Sequence, residues 1–356
     1  MSIDNIEEIT TSNVEINGLN NIRQKLNDCG RKKENIFFLI NYKMDFAYIL
    51  ELDSLKQSNI ACNINGQEYG RELNYKNSNN KQESSRQISA KVLKEPISYS
   101  LYKQQFNLAK DRILKGDSYL LNLTFATKLR TQEPQGINLD QIYLQAEAMY
   151  KCAVLNKFVF FSPETFIKIE QNKISSFPMK GTIDASLPDA QNKLLSNYKE
   201  LCEHYTIVDL IRNDLSIVSK NVEVENFRYI SRVKTNSGGE ILQTSSKVSG
   251  RLEENWQNKL GNILMSILPA GSITGAPKKM TQEIIAEAEL EERGFYTGIM
   301  GVFTGDKLDS CVNIRFIEQG RDGLFVYKSG GGITCNSSVE DEYEELLTKV
   351  YVPGTI

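Results

Sequence analysis

Apolar runs of strand length, separated by polar stretches, organise the chain. Ile36-Phe-Phe-Leu-Ile40 and Phe46-Ala-Tyr-Ile-Leu50 come first. Apolar runs without polar alternation read as strands covered on both faces. The 35 residues before them are polar and partly helical in pattern. Over 102–115 the apolar positions Phe106, Leu108, Ala109, Ile113 and Leu114 follow a helical period, and Gly116-Asp117 ends it. Strands are predicted over 119–126, 158–161, 166–170 and 173–177, the last two joined by a turn at Gln171-Asn172. A long helix is predicted after Pro188, running to about Ile211, and another over 281–292. Strands and helices alternating at irregular spacing favour an α+β fold over a βαβ barrel.

Residues 74–87 are polar, asparagine-rich and nearly free of apolar anchors, and read as a mobile loop. They lie between a short N-terminal α+β portion, residues 1–95, and a main body, residues 96–356. No internal repeat is visible.

Composition narrows the chemistry. With 356 residues, 40% of them hydrophobic, the chain can bury a large core. The net charge of −3 is spread out, so there is no basic footprint for nucleic acid. The first residues carry acids where a signal peptide carries bases, and no apolar run is long enough to cross a membrane. Six cysteines lie scattered without C-x-x-C spacing, as expected of reduced, mostly buried thiols in the cytoplasm. His204 is the single histidine, so multi-histidine metal sites are excluded. The chemistry must rest on carboxylates, lysine, arginine and backbone amides.

Glu200 and Glu203 are spaced to share a helix face, and Glu342 and Glu345 repeat the arrangement near the C-terminus. Alone, each pair reads as a solvated face. Two such helices facing one another would offer oxygen ligands only, which suits Mg²⁺. Gly271-Ser-Ile-Thr-Gly-Ala-Pro-Lys278 precedes the helix predicted over 281–292, and such junctions bind carboxylates or phosphates. Gly330-Gly331-Gly332 is a flexible run that can approach a ligand closely. Arg315, among apolar strand residues, needs either an internal acid or a ligand carboxylate. Lys180 follows a strand, between Pro178-Met and Gly-Thr182, a bend that can aim its amine into a cleft. Desolvation there would make the amine a nucleophile or base.

Taken together, five segments resemble the chorismate-utilising enzymes, a group that includes anthranilate synthase component I, aminodeoxychorismate synthase component I and the isochorismate and salicylate synthases. They are Pro178-Met-Lys-Gly-Thr182, Glu203-His-Tyr-Thr-Ile-Val-Asp-Leu-Ile-Arg-Asn-Asp-Leu215, Gly271-Ser-Ile-Thr-Gly-Ala-Pro-Lys278, Arg293-Gly-Phe-Tyr-Thr-Gly298, and Gly330-Gly-Gly-Ile333 with Glu340-Asp-Glu-Tyr-Glu-Glu345. The resemblance spans roughly residues 98–353. It implies large antiparallel sheets packed as a sandwich with helices outside. It also implies Glu200, Glu203, Glu342 and Glu345 as Mg²⁺ acids. Tyr296, Arg315, Gly331 and Gly332 match the groups that hold the substrate carboxylates, and Ser272 and Thr274 lie in a matching loop.

Lysine at position 180 matches the aminodeoxychorismate synthases; anthranilate synthases typically have alanine there. The resemblance thus implies that the Lys180 amine attacks C2 of chorismate and that ammonia then displaces it by attack at C4. The product is 4-amino-4-deoxychorismate, for 4-aminobenzoate and folate synthesis. Leu120 stands where isochorismate-forming relatives carry a water-activating lysine, which argues against hydration. Gln243 stands where many relatives carry histidine, which fits retention of the enolpyruvyl group. Longer relatives bind tryptophan in their N-terminal part, a site not carried over to this shorter one. A glutaminase needs a Cys-His-acid set, and His204 already belongs to the metal helix, so ammonia is expected from a separate glutamine amidotransferase subunit. The rival expectations are an anthranilate synthase component I and a catalytically silent chorismate-binding relative.

Overall fold

The computed structural model describes residues 15–73, 92–131, 136–234, 239–320 and 323–354. The predicted strand Ile36–Ile40 is found as Asn35–Ile40, with each face buried by a different layer. Ile36, Phe38 and Ile40 pack in one core with helix residues Ile22, Leu26 and Leu260, while Phe37 and Leu39 pack in another with Ile60, Cys62 and Phe160. Phe46–Glu51 divides in the same way, with Ala47 and Ile49 in the first core and Tyr48 and Leu50 in the second. The absence of polar alternation in these strands follows from this double burial.

Among the described residues two antiparallel sheets form, with ten strands in the first and nine in the second. The first runs in the order Glu15–Asn17, Phe46–Glu51, Asn35–Ile40, Ile299–Thr304, Leu308–Val312, Thr165–Glu170, Lys173–Ser176, Glu240–Arg251 and Met179–Asp184, with Lys220–Lys234 also on Glu240–Arg251. The second runs Gly275–Ala276, Leu120–Thr131, Phe325–Thr334, Phe316–Gln319, Phe158–Ser162, Tyr150–Val154, Ile60–Ile64 and Gln67–Gly70, with Val92–Glu95 on Leu120–Thr131. One core draws its residues from both sheets. Helices Leu19–Lys32, Tyr198–Val218 and Leu260–Ile267 cover the outer face of the first sheet. Tyr99–Leu114, Lys278–Ala288 and Val339–Thr348 cover that of the second. The expected sandwich with helices outside is the observed architecture.

Several local expectations change. Strands from the first 95 residues enter both sheets: Asn35–Ile40 pairs with Ile299–Thr304, and Ile60–Ile64 with Tyr150–Val154. The loop expected at 74–87 lies outside the described residues. The single helix expected after Pro188 is two, Ala190–Ser196 and Tyr198–Val218. Extended Asn197 separates them, and its side chain accepts from Glu200 N at 3.2 Å as an N-cap. The helix expected over 281–292 is Lys278–Ala288, and the extended Glu289 after it pairs with Arg293. Gly330, Gly331 and Gly332 are no flexible run: they are hydrogen-bonded strand, opposite Thr124, Leu123 and Asn122. The turn at Gln171-Asn172 holds, both residues having positive φ as a two-residue hairpin requires.

Candidate active site

The start of Met179–Asp184, the first turns of Tyr198–Val218 and the glycine stretch of Phe325–Thr334 enclose a cavity of about 840 Å³. Lys180, Glu203, Gln243, Ser272, Tyr296, Arg315 and Gly332 all line it. Sequence pattern alone could not show that these separated residues meet. Thr274, Gly331 and three of the four expected metal acids, Glu200, Glu342 and Glu345, are not in the lining: Thr274 is fully buried, and Gly331 faces Glu342.

Lys180 Nζ lies 2.8 Å from Glu203 Oε2. It also lies 3.9 Å from where a Cβ on Gly332 would stand, so the missing side chain leaves the amine room. Desolvation pulls the Lys180 pKa down, as expected from sequence. The combined pull of Glu203, Glu345 and Glu200 outweighs it, and the ammonium is held above its ordinary value. This corrects the expectation of a free amine: in this arrangement Lys180 is a cation paired with Glu203.

The remaining acids approach from two sides. Glu200 stands in the first turn of its helix, with Oε2 2.7 Å from the Cβ position of Gly181. That oxygen is buried without a hydrogen-bond partner among the described residues, and burial, then repulsion from Glu203, raises the Glu200 pKa. Glu342 accepts from Ser337 Oγ at 2.8 Å, and its Oε2 lies 3.4 Å from the Cβ position of Gly331. Burial raises its pKa as well. Glu345 behaves oppositely: burial would raise it, but Lys349 at 2.7 Å and the more distant Lys180 and Lys199 bring it below its ordinary value. Among the described residues no three acidic, thiol or imidazole side chains close on one point as a metal-ligand set. The oxygen-only donors and the unpartnered Glu200 oxygen are nevertheless of the kind a hard divalent cation takes.

Arg315 has left-handed backbone (φ 55°) and makes no ion pair with a described residue. Its Nη1 lies 3.4 Å from Tyr351 Oη, and its guanidinium stacks over that ring at 5.5 Å. Of the two partners the sequence left open, the internal acid is not found among the described residues. Leu120 sits against Gly332, 3.3 Å from its Cβ position, and its side chain offers no base there. His204 is fully buried, with Nε2 2.6 Å from Ser246 Oγ. Burial, then Arg228, lowers its pKa to about 4, which leaves the imidazole neutral.

Glu164 and Lys349 also line the cavity and were not singled out from sequence. Ser272 donates a hydrogen bond to Glu164, and burial raises the Glu164 pKa, making it a candidate proton donor. Its only local signal is a carboxylate just after Ser162-Pro163 at a strand end. Lys349 Nζ reaches the Gly330 carbonyl at 2.8 Å, and its four-residue spacing from Glu345 could have flagged it.

Residues 33–353 match a family described as chorismate binding enzyme. A protein of Haemophilus influenzae named as an uncharacterized PabA-like protein is 48% identical over 330 residues, covering 93% of this chain and 95% of that protein. An anthranilate synthase component 1 from Acetivibrio thermocellus is 31% identical over 326 residues, 87% of this chain and 62% of its own length. Among solved structures, a putative 2,3-dihydroxybenzoate-specific isochorismate synthase from Bacillus anthracis superposes with a TM-score of 0.67 at 18% identity, covering 94% of this chain and 88% of that one. Anthranilate synthase component I from Streptococcus pneumoniae has a TM-score of 0.64 at 19% identity, covering 88% and 79%. With nearly its whole length matched, the chain belongs to the chorismate-binding enzyme family.

Proposed function

We propose that this protein is an aminodeoxychorismate synthase component I, converting chorismate and ammonia to 4-amino-4-deoxychorismate through a covalent bond to Lys180. The observation that carries the reading is the amine itself, which reaches the floor of the substrate-sized cavity beside Glu203 and above Gly332.

Lys180 first loses its ammonium proton to water, and its free amine bonds to C2 of the ring. The proton shed by the new C2–nitrogen passes to Glu164 once that residue has given up its own. The ring double bond shifts and the C4–oxygen bond breaks, while Glu164 donates a proton so that the hydroxyl departs as water. Ammonia then bonds to C4, the double bond shifts back, and the C2–nitrogen bond breaks to release the Lys180 amine. Arg315, Tyr296 and Lys349 hold the two substrate carboxylates. Glu200, Glu203, Glu342 and Glu345 would hold Mg²⁺, which supplies a positive anchor for the ring carboxylate and eases loss of the hydroxyl. Leu120 keeps a water-activating base away from the ring. Ammonia comes from a separate glutamine amidotransferase, and the protein works in the cytoplasm.

Mass identification of the product from chorismate, Mg²⁺ and ammonia tests the reading. Aminated chorismate with its enolpyruvyl group intact is the expected result. Anthranilate formed by the protein alone would mark an anthranilate synthase component I instead, and no turnover at all a chorismate-binding protein without catalysis.

A further inference from the structure

Most polar groups around the cavity floor are already engaged. Lys180 is held by Glu203, Glu164 by Ser272, and Lys349 by Glu345 and the Gly330 carbonyl. The Asn122 carboxamide is different. It is half-buried, lines the cavity and has no hydrogen-bond partner among the described residues. A polar group that substrate binding desolvates must find its partner in the ligand or weaken binding.

Its placement is well determined. Asn122 stands opposite Gly332, on the strand face that also carries Leu120 and Thr124. Its Oδ1 lies 3.0 Å from the Cβ position of Gly330, as Lys180 Nζ lies 3.9 Å from that of Gly332. The carboxamide and the amine therefore cover neighbouring glycines of one strand. The backbone beneath is braced by the buried pair of Arg293 and Glu289, 2.7 Å apart. Arg293 Nη2 donates to the Asn122 carbonyl at 2.7 Å, and Glu289 Oε1 accepts from both Thr124 N and Thr124 Oγ1 at 2.9 Å.

We infer that Asn122 selects the nucleophile: its Oδ1 accepts an N–H from ammonia as the ammonia lone pair meets C4. The inference rests on the amination reading above. A carboxylate at this position would hold ammonium, whose lone pair is already taken by a proton. A carboxamide accepts from free-base ammonia without favouring the protonated form. Arg315 and Lys349 supply cations for the substrate carboxylates, which leaves the neutral carboxamide for a neutral donor. In the step it serves, the C4–nitrogen bond forms as the C2–nitrogen bond to Lys180 breaks, and a proton from the new ammonium passes to the departing amine.

The test compares wild type, N122A and N122D with chorismate, Mg²⁺ and ammonium chloride at rising pH. N122A is expected to raise the apparent KM for ammonia about tenfold, with the KM for chorismate within about twofold of wild type. N122D is expected to be worse than N122A near neutrality and to recover as pH rises. A parallel rise in both KM values would make Asn122 a chorismate contact and overturn the inference. A wild-type ammonia KM in N122A, or N122D outperforming N122A near neutrality, would overturn it as well. Product mass separates the two levels: a wild type that releases no aminated product overturns the amination reading and this inference with it. An aminating wild type with an unchanged N122A variant overturns this inference alone.

Discussion

Gly330 and Gly332 share a strand face but have different neighbours. A Cβ on Gly330 would stand 2.7 Å from the Leu123 carbonyl oxygen and from Thr124 Cγ2, inside the sheet ladder. Gly330→Ala is therefore expected to cost about 2 kcal/mol, read as a lowered Tm. A Cβ on Gly332 would meet only Leu120 Cδ1 at 3.3 Å and Lys180 Nζ at 3.9 Å, both side-chain atoms. Gly332→Ala is expected to keep nearly the wild-type Tm while lowering kcat/KM for chorismate. Lys180 is half-buried and, among the described residues, ion-paired only with Glu203. Lys180→Ala should thus abolish amination while leaving the circular dichroism spectrum and cooperative unfolding intact; unchanged turnover would remove Lys180 from the mechanism. Lys180 was legible in the chain because proline and glycine bracket it. Its protonation was not, because the three carboxylates that govern it come from other elements.

At the scale of elements, the break at Asn197 starts a new helix three residues before Glu200. The Asn197 cap and the helix together bring Glu203 onto Lys180 and Glu200 against Gly181. Asn197→Ala should cost about 1 kcal/mol of stability and loosen that first turn. It is expected to raise the Mg²⁺ concentration giving half-maximal activity more than the KM for chorismate. Glu203→Gln removes both the partner of Lys180 and a proposed metal ligand, so Mg²⁺ activation should weaken sharply; normal Mg²⁺ dependence in that variant would count against the assignment. The acid spacing was legible as helical, yet the helix start was not. Pro188 and the apolar positions after it fit one long helix as well as two, and only the extended backbone of Asn197 decides between them.

At the scale of the whole molecule, the long ribbon of Lys220–Lys234 and Glu240–Arg251 is tied to the neighbouring strand Lys173–Ser176 through Glu225. Glu225 accepts from Lys173, from Ser249 and from Lys247, the last at 2.7 Å. These contacts, Lys173 first, bring the Glu225 pKa down to about 2. A carboxyl depressed on folding stabilises the protein fully above its ordinary pKa, and the contribution fades as pH falls towards the folded value. Glu225→Gln is therefore expected to lower the Tm at neutral pH, with the gap to wild type closing as the solution is acidified towards about pH 2. A gap independent of pH would show that the charge is not what ties the ribbon down.

The sequence by itself determined the α+β class, most strands and the spacing of the acid pairs. These depend on local periodicity and on which side chains fill a pleat or a helix face. It also carried the motifs that place the chain in its family. Tertiary structure alone decided that Lys180, Glu203, Gln243, Tyr296 and Arg315 share one cavity, and that the three glycines are ordered strand. It alone brought Glu164, Lys349 and Asn122 to the same wall. The physical reason is that strand order in an antiparallel sandwich is set by which faces must be buried together. Pairing residues 35–40 with 299–304, or 120–131 with 325–334, is a long-range choice that no local pattern encodes.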